Sequence, residues 1–261
     1  MARAILDPER GYLNKWQMHV ALSGEDIGPC HLPATQVSQN PRWFDFITRY
    51  SRVYVKPVHL WGGHDVSLVL KQADGNYSWK TLERELSNLT SEQLKLELKR
   101  IFASHVYIVQ QGAPLALSKG RPFDIRALWQ KEPQGWIFAG TLARVGTKDG
   151  FISNISTGKG EVCPALTVLN EILPQKKSPS RVLDDIRECG QKITQLLSQY
   201  RDFVEVGIDF GISNSGELWI IEVNTDDALG GPSHALFKEL PDKTLYQQIE
   251  QRSLARNMPW S

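Results

Sequence analysis

A chain of 261 residues with 41% apolar and 23% charged side chains is globular in composition, and it is long enough for one large domain or two intimate subdomains. A formal net charge of +1 supplies no broad field for nucleic acid or an acidic membrane surface. Cys30, Cys163 and Cys189 are scattered and lack a Cys-x-x-Cys spacing, which argues against a disulfide framework or zinc site and for a reducing cytoplasm; no secretion signal opens the chain and no apolar run has the length of a membrane span.

The first ~50 residues are rich in Pro, Gly and polar side chains, with helical pieces expected over Lys15–Leu22 and Trp43–Tyr50. RVYVKPV predicts a strand, then a loop holding Trp61, Gly62 and Gly63, then the strand VSLVL. The turn signal ADGN follows. Thr90-Ser-Glu-Gln93 has the spacing of a capping box and opens a helix through Phe102, with Leu94, Leu98, Ile101 and Phe102 on one face. VYIVQQ predicts a short strand, and FDIRALWQ and GWIFAGTLARVG pair around the turn Glu132–Gly135. SNISTGKG reads as a polar loop. Ser180 is the expected cap of a long helix to about Tyr200, with Val182, Ile186, Cys189, Ile193, Leu196 and Leu197 inward. FVEVGIDFGI and ELWIIEV are strands, and a last helix covers Leu245–Leu254. Strands interspersed with helices, several joined by hairpins, define an α+β chain with mostly antiparallel sheets.

The segment LWIIEVN carries the chemistry. It reads as a buried strand, yet it ends in Glu222 and Asn224, and burying an unpaired charge costs several kcal/mol. A two-residue loop at Ser215–Gly216 sets Asp209 directly opposite Glu222, with Cβ atoms ~5 Å apart. A slip of one residue would destroy that pairing. Asn224 shares the face of Glu222. Two opposed carboxylates and an amide oxygen suit a hard dication such as Mg²⁺, which takes one or two carboxylates plus phosphate oxygens and water. The competing reading makes Glu222 a salt-bridge partner and Asn224 a turn residue.

GIDF, a hairpin and IIEVNT together resemble the metal-binding hairpin of ATP-grasp enzymes, as in D-alanine–D-alanine ligases and ribosomal-protein glutamate ligases. YVKP resembles the family's strand ending in a nucleotide-binding lysine, and YIVQQG its adenine-holding linker strand. PFDIRALWQ, FAGTLARVG and FISNISTGKG resemble the YheC/YheD branch, the endospore coat-associated ATP-grasp proteins. The resemblance runs from Lys15 to Asn224. It implies two α+β subdomains clamping ATP: an N-terminal segment over 1–50, a small subdomain over 51–112, and a large one over 113–261 with the metal site.

By that resemblance Asp209, Glu222 and Asn224 hold one or two Mg²⁺ ions on the β- and γ-phosphates. Lys56 meets the α- and β-phosphates, and Lys15 falls at the place of the second nucleotide lysine, where a plain surface lysine competes. Gln110 and Gln111 flank adenine, chiefly through backbone, and Gly62 and Gly63 belong to the phosphate loop. Arg126 and Arg144 grip the transferring phosphoryl group or a substrate carboxylate, against a structural Asp124–Arg126 pair. Asn154 lies near the reacting centre, against a turn-forming Asn. The implied reaction converts a small-molecule or peptide carboxylate to an acyl phosphate that an amine displaces, forming an amide. The alternative is a catalytically weak nucleotide-binding or structural protein of spore-coat type. No Ser/His/Asp or Cys/His constellation emerges from the six histidines.

Three departures from the family are visible. Leu60 and Trp61 replace the Gly-Ser pair of the phosphate loop, with His64 where a basic lid residue belongs. Asp226 and Asp227 replace Pro-Gly after EVNT, either to attract an amine or Mg²⁺, or as solvated loop charges. Only about 14 residues precede Lys15, where relatives place a whole subdomain. That wall of the substrate site is then expected from a partner protein, from another copy of the chain, or from nowhere.

Overall fold

The computed structural model describes residues 3–60, 62–173, 178–226 and 232–256. Two six-stranded sheets organise them. The small sheet runs β2 (Thr35–Val37), β7 (Tyr107–Gln111), β3 (Arg52–Pro57), β4 (Ser67–Lys71), β5 (Tyr77–Lys80), β6 (Glu85–Leu89). The large sheet runs β1 (Cys30–His31), β12 (Leu218–Thr225), β11 (Glu205–Ile212), β8 (Phe123–Glu132), β9 (Gly135–Val145), β10 (Glu161–Cys163). All pairings are antiparallel except β1 with β12. The first fifty residues do not stand apart, because β1 joins one sheet and β2 the other.

The helices are α1 (Lys15–Leu22), α2 (Trp43–Thr48), α3 (Ser91–Phe102), α4 (Ile155–Gly158), α5 (Ala165–Ile172), α6 (Pro179–Leu197) and α7 (Thr244–Arg256), with a 3₁₀ segment over Ser233–Glu239. Local chemistry explains their starts. Asn14 caps α1 by accepting from the backbone N–H groups of Trp16 and Gln17, and Thr90 and Gln93 form the expected capping box on α3. Helix α6 is capped by Ser178 rather than Ser180. Pro179 decides this, because a proline at the first helical position loses no hydrogen bond and arrives with helical φ. SNISTGKG is not all loop: Asn154 accepts from the Thr157 N–H at 3.3 Å and starts α4.

Four clusters fill the interior, the smallest being Val66, Leu68 and Phe151. Helices α1, α5 and α6 cover the large sheet, with Val182, Ile186, Cys189, Ile193 and Leu197 of α6 fully buried and Leu196 packed at the margin. Gly190 lets α6 lie against the indole of Trp129 on β8, since a Cβ there would fall 1.9 Å from the ring. Helices α2 and α3 cover the small sheet through Trp43, Phe46, Ile47, Leu94 and Leu98. The C-terminal elements cover β8 and β9 through Phe237, Leu240 and Ile249. No helix among the described residues is long and apolar enough to cross a membrane.

The hairpin β11–β12 sets Asp209 opposite Glu222 as expected, but by a different route. Its loop is three residues, Asn214–Gly216, closed by the Ser213 N–H on the Glu217 carbonyl at 3.0 Å. Near the turn the ladder is therefore offset by one from the expected register. A bulge restores it, since Asp209 faces Glu222 while Phe210 faces Ile220, leaving Ile221 as the extra residue.

Candidate active site

The cleft between the sheets is lined by Lys15, Tyr54, Lys56, Gln110, Asp124, Arg144, Asn154, Asp209 and Glu222. Its floor is a buried tetrad on three adjacent strands. Asp209 on β11 lies opposite both Arg126 on β8 and Glu222 on β12, and Asp124 on β8 lies opposite Arg144 on β9. Arg144 binds Asp124 through Nε and one terminal nitrogen, both at 2.8 Å, and its Nη2 reaches Asp209 at 2.8 Å. Arg126 is bidentate on Asp209, with Nη2 at 2.9 Å. The competing Asp124–Arg126 pair does not form, since Arg126 binds Asp209. Directly opposed residues lie closer than residues two apart on one strand, so each guanidinium takes the acid of a neighbouring strand. Burial opposes the charge on Asp209, but Arg126 and Arg144 outweigh it and hold the carboxyl below its usual range. Burial pushes Asp124 up, only partly offset by Arg144. Ser153 donates to Asp124.

Two lysines meet above this floor. Lys15 at the start of α1 binds Glu222 at 3.1 Å and donates to the Leu60 carbonyl. It is therefore a cleft residue and not a plain surface lysine. Burial works against ionised Glu222, but Lys15, with help from Lys56, holds it below the usual range. Lys56 donates to Gln110 Oε1 at 2.7 Å and to the Ile221 carbonyl at 3.4 Å. The second contact exists because Ile221 is the bulge residue, whose backbone is left out of the ladder. Desolvation pulls Lys56 down to about 8, against the attraction of Glu222.

The side chain of Gln110 was not expected to matter. It holds Lys56 with its oxygen, while its nitrogen donates to Thr35 Oγ1 at 3.1 Å. Thr35 in turn donates to the Pro33 carbonyl at 3.0 Å, which fixes the direction of the relay. The available signal was the antiparallel pairing of two predicted strands, which brings Gln110 beside Lys56. Gln111 also acts through its side chain, accepting from the Ala34 N–H at 3.2 Å. Gly62 and Gly63 form a turn with positive φ, and the Gly62 carbonyl accepts from Thr157 Oγ1 at 2.6 Å. Asn154 lines the cleft and caps α4 at once.

His64 is exposed in the same turn. Asp226 is not a solvated loop charge, because its Oδ1 accepts from the Val204 and Glu205 N–H groups at 2.8 and 3.1 Å. Trp61 and Asp227 lie outside the described residues.

The donor set bears on a metal. No cluster of three or more His, Cys, Asp or Glu is placed to hold one among the described residues. The hard oxygens are those of Asp209 and Glu222, with Asn224 on the Glu222 face, and the buried Asn224 Nδ2 has no hydrogen-bond partner. Two carboxylates and an amide fit Mg²⁺ that brings its remaining oxygens on a polyphosphate, rather than a cage made by protein alone. Each carboxylate is already balanced by Lys15, Arg126 or Arg144, so a cation held here would have to displace one of those counter-charges.

Two antiparallel-rich α+β layers closing on a cleft of lysines, arginines and a carboxylate hairpin define an ATP-grasp fold. A sequence model of the YheC/D-like ATP-grasp domain matches residues 6–256, and the chain belongs to that family. It is 27% identical to the endospore coat-associated protein YheC of Bacillus subtilis strain 168 over 227 residues, 83% of this chain and 60% of that protein. It is 22% identical to YheD of the same organism, over 93% of this chain and 54% of that one. It thus spans little more than half the length of these relatives. Among solved structures, D-alanyl-alanine synthetase A from Vibrio cholerae O1 biovar eltor superposes with TM-score 0.51 at 11% identity, over 93% of this chain and 65% of the other. N5-carboxyaminoimidazole synthetase from Staphylococcus aureus, complexed with ADP, gives TM-score 0.51 at 9% identity over 86% and 46%.

Proposed function

We propose that this chain is an ATP- and Mg²⁺-dependent ligase that activates a carboxylate as an acyl phosphate and joins it to an amine. The observation that carries the reading is the direct opposition of Asp209 and Glu222, with Lys15 on Glu222, Lys56 beside it in the cleft, and Arg126 and Arg144 on Asp209. Four cations against the three carboxylates Asp124, Asp209 and Glu222 leave a small positive excess suited to a polyphosphate. Mg²⁺ held by Asp209, Glu222 and Asn224 would neutralise charge on the β- and γ-phosphates.

Lys15 and Lys56 bind the phosphate chain, with Lys56 aimed by Gln110. Gly62 and Gly63 present backbone N–H groups to it. Adenine lies against the β7 strand end at Gln110 and Gln111, between Tyr54 and Ile220. Arg144 and Arg126 stabilise the phosphoryl group as the substrate carboxylate oxygen attacks phosphorus and ADP departs, and Asn154 orients the acceptor side. The amine then attacks the acyl carbon and phosphate leaves. Catalysis by position and charge needs no covalent enzyme intermediate. The endospore coat association in the relatives' names suggests the same setting for this chain. A second reading, nucleotide binding without turnover, draws on Leu60, whose bulk and Lys15-bound carbonyl occupy the phosphate loop.

Incubation with Mg-ATP and a panel of amino acids and short peptides should release ADP and phosphate only when an acceptable carboxylate and amine are both present, with a condensed product. Nucleotide bound with no turnover across the panel favours the second reading. For the metal, Mg²⁺ should tighten ATP binding to wild type, and Glu222→Gln should lose roughly tenfold or more of that gain. A variant that keeps the full Mg²⁺ dependence refutes the assignment of Glu222.

A further inference from the structure

Lys15 opens α1, the end of a helix that favours a cation least, and no acidic residue stands in the first turn to offset it. Its side chain is only 14% exposed. The contacts that hold it come from two other parts of the chain. Its backbone N–H donates to the Val58 carbonyl at 3.3 Å, its ammonium donates to the Leu60 carbonyl, and the same ammonium lies 3.1 Å from Glu222 Oε1. The ammonium therefore bridges the segment after β3 and the end of β12, the strand that carries Glu222 and Asn224. Burial opposes ionised Glu222, and among the attractions that outweigh it Lys15 is the largest.

The facing acid, Asp209, is balanced by Arg126 and Arg144 instead. A dication approaching the two carboxylates thus meets an ammonium on one and guanidiniums on the other, and like charges at such distances repel strongly where water is scarce. The two guanidiniums are buried within the large sheet. Lys15 sits on a flexible four-carbon stem at the cleft wall beside Leu60 and Glu222, so of the three cations it is the one that can turn aside. Once turned, it needs a new counter-charge, because a neutral carbonyl leaves a buried ammonium under-compensated. A polyphosphate supplies that charge and a bare metal ion does not.

We propose that Lys15 is a selectivity lock on the carboxylate hairpin: it turns away a bare divalent cation and gives way to one that arrives on a polyphosphate. The lock rests on the assignment of the cleft to a Mg²⁺-nucleotide made above. In the free protein the ammonium neutralises Glu222. When the nucleotide enters, its phosphate oxygens take over the ammonium, Glu222 is left with an uncompensated charge, and that charge draws the metal. The Leu60 carbonyl gives up its donor in the same exchange. Metal and nucleotide affinities are then linked through one side chain, beyond the linkage that the two ions have in solution.

Mn²⁺ is the probe, followed by the electron paramagnetic resonance of the free ion. Without nucleotide, Lys15→Met should bind Mn²⁺ roughly tenfold or more tightly than wild type, and adding Glu222→Gln to that variant should abolish the gain. Lys15→Arg, which keeps the charge, should bind the bare ion as weakly as wild type. With ATP present, wild type should hold Mn²⁺ tightly, whereas Lys15→Met should bind ATP more weakly and with a smaller enhancement by the metal. If Lys15→Met does not fold, Lys15→Gln, which keeps a donor for the Leu60 carbonyl, serves in its place. The lock is overturned, and the proposed function left standing, if wild type binds Mn²⁺ as tightly without nucleotide as with it. It is equally overturned if the neutral variants gain no affinity for the bare ion in a protein that binds Mn-ATP. Wild type that binds no Mn-ATP at millimolar concentration overturns the nucleotide assignment itself, and the lock with it.

Discussion

Lys56 keeps its proton in surroundings that hardly favour a charge. Burial brings its pKa to about 8, with Gln110 and a bulge carbonyl as its hydrogen-bond acceptors. A phosphate anion beside it favours the charged form, so the bound pKa lies above the free one. The sign follows: below pH 8 both states carry the proton and affinity does not depend on it, whereas above pH 8 binding takes up a proton and affinity falls. Calorimetry of Mg-ATP binding near pH 9, in buffers of different ionisation heat, should register uptake approaching one proton, and little of it at pH 6.5. Lys56→Met should remove the uptake; its persistence would locate the titrating group elsewhere. At this scale the sequence showed which residues gather, because charged side chains at strand ends near glycines stand out against an apolar pattern. It did not show who binds whom. Arg126 takes Asp209 and Arg144 takes Asp124, each across a strand pairing, and the Gln110 relay depends on neighbours that only the assembled sheet supplies.

Among elements, the strongly periodic ones were legible. Lys15–Leu22 is the helix expected, the box at Thr90 is closed, and β8 and β9 pair around their expected turn, whereas β11 and β12 reach the expected Asp209–Glu222 pair only through a longer loop and a bulge. What escaped notice is mostly short or polar: β1, β2, β5, β10 and α4 at two to four residues, and the edge strand β6, whose residues are largely exposed; the exception is α5, an apolar helix of eight residues. Helix α6 offers a test in which two effects oppose each other. Gly190→Ala gains up to ~1 kcal/mol of helix propensity. It also drives a methyl into the Trp129 ring, and overpacking of this kind costs about 1–3 kcal/mol, the upper end applying where Trp129 is itself fully buried. Urea unfolding should show a net loss of about 1–2 kcal/mol. A more stable variant would mean that the α6–β8 contact is looser than the fold implies.

For the whole molecule, the two sheets meet through few but specific polar contacts. Lys15 reaches Glu222, Lys56 reaches the Ile221 carbonyl, Tyr54 donates to the Phe151 carbonyl at 3.2 Å, and Thr157 donates to the Gly62 carbonyl. A ligand in the cleft touches both sides of this junction. At a hundredfold excess over Kd, binding adds ~2.7 kcal/mol, and a chain of this size gains ~2–4 °C per kcal/mol. Saturating Mg-ATP should therefore raise the melting midpoint by roughly 5–10 °C, read by scanning calorimetry, while Mg²⁺ alone should not. No rise at millimolar Mg-ATP would mean that the folded chain does not bind the nucleotide. The class of fold was legible as a whole because hairpins and helices alternate in a recognisable order, while the closure of the cleft was not, since it rests on contacts between residues 95 or more positions apart.

The bulge at Ile221 and the three-residue turn beyond it act like the two ends of a vernier. Each displaces the strand by one step, and the steps cancel where Asp209 meets Glu222. Length can therefore be traded between the tip and the bulge without moving either carboxylate. Losing Ile221 alone would straighten the ladder and leave the acids facing, yet it would take away the carbonyl that anchors Lys56. A surplus residue thus ties the carboxylate strand to the opposite wall of the cleft.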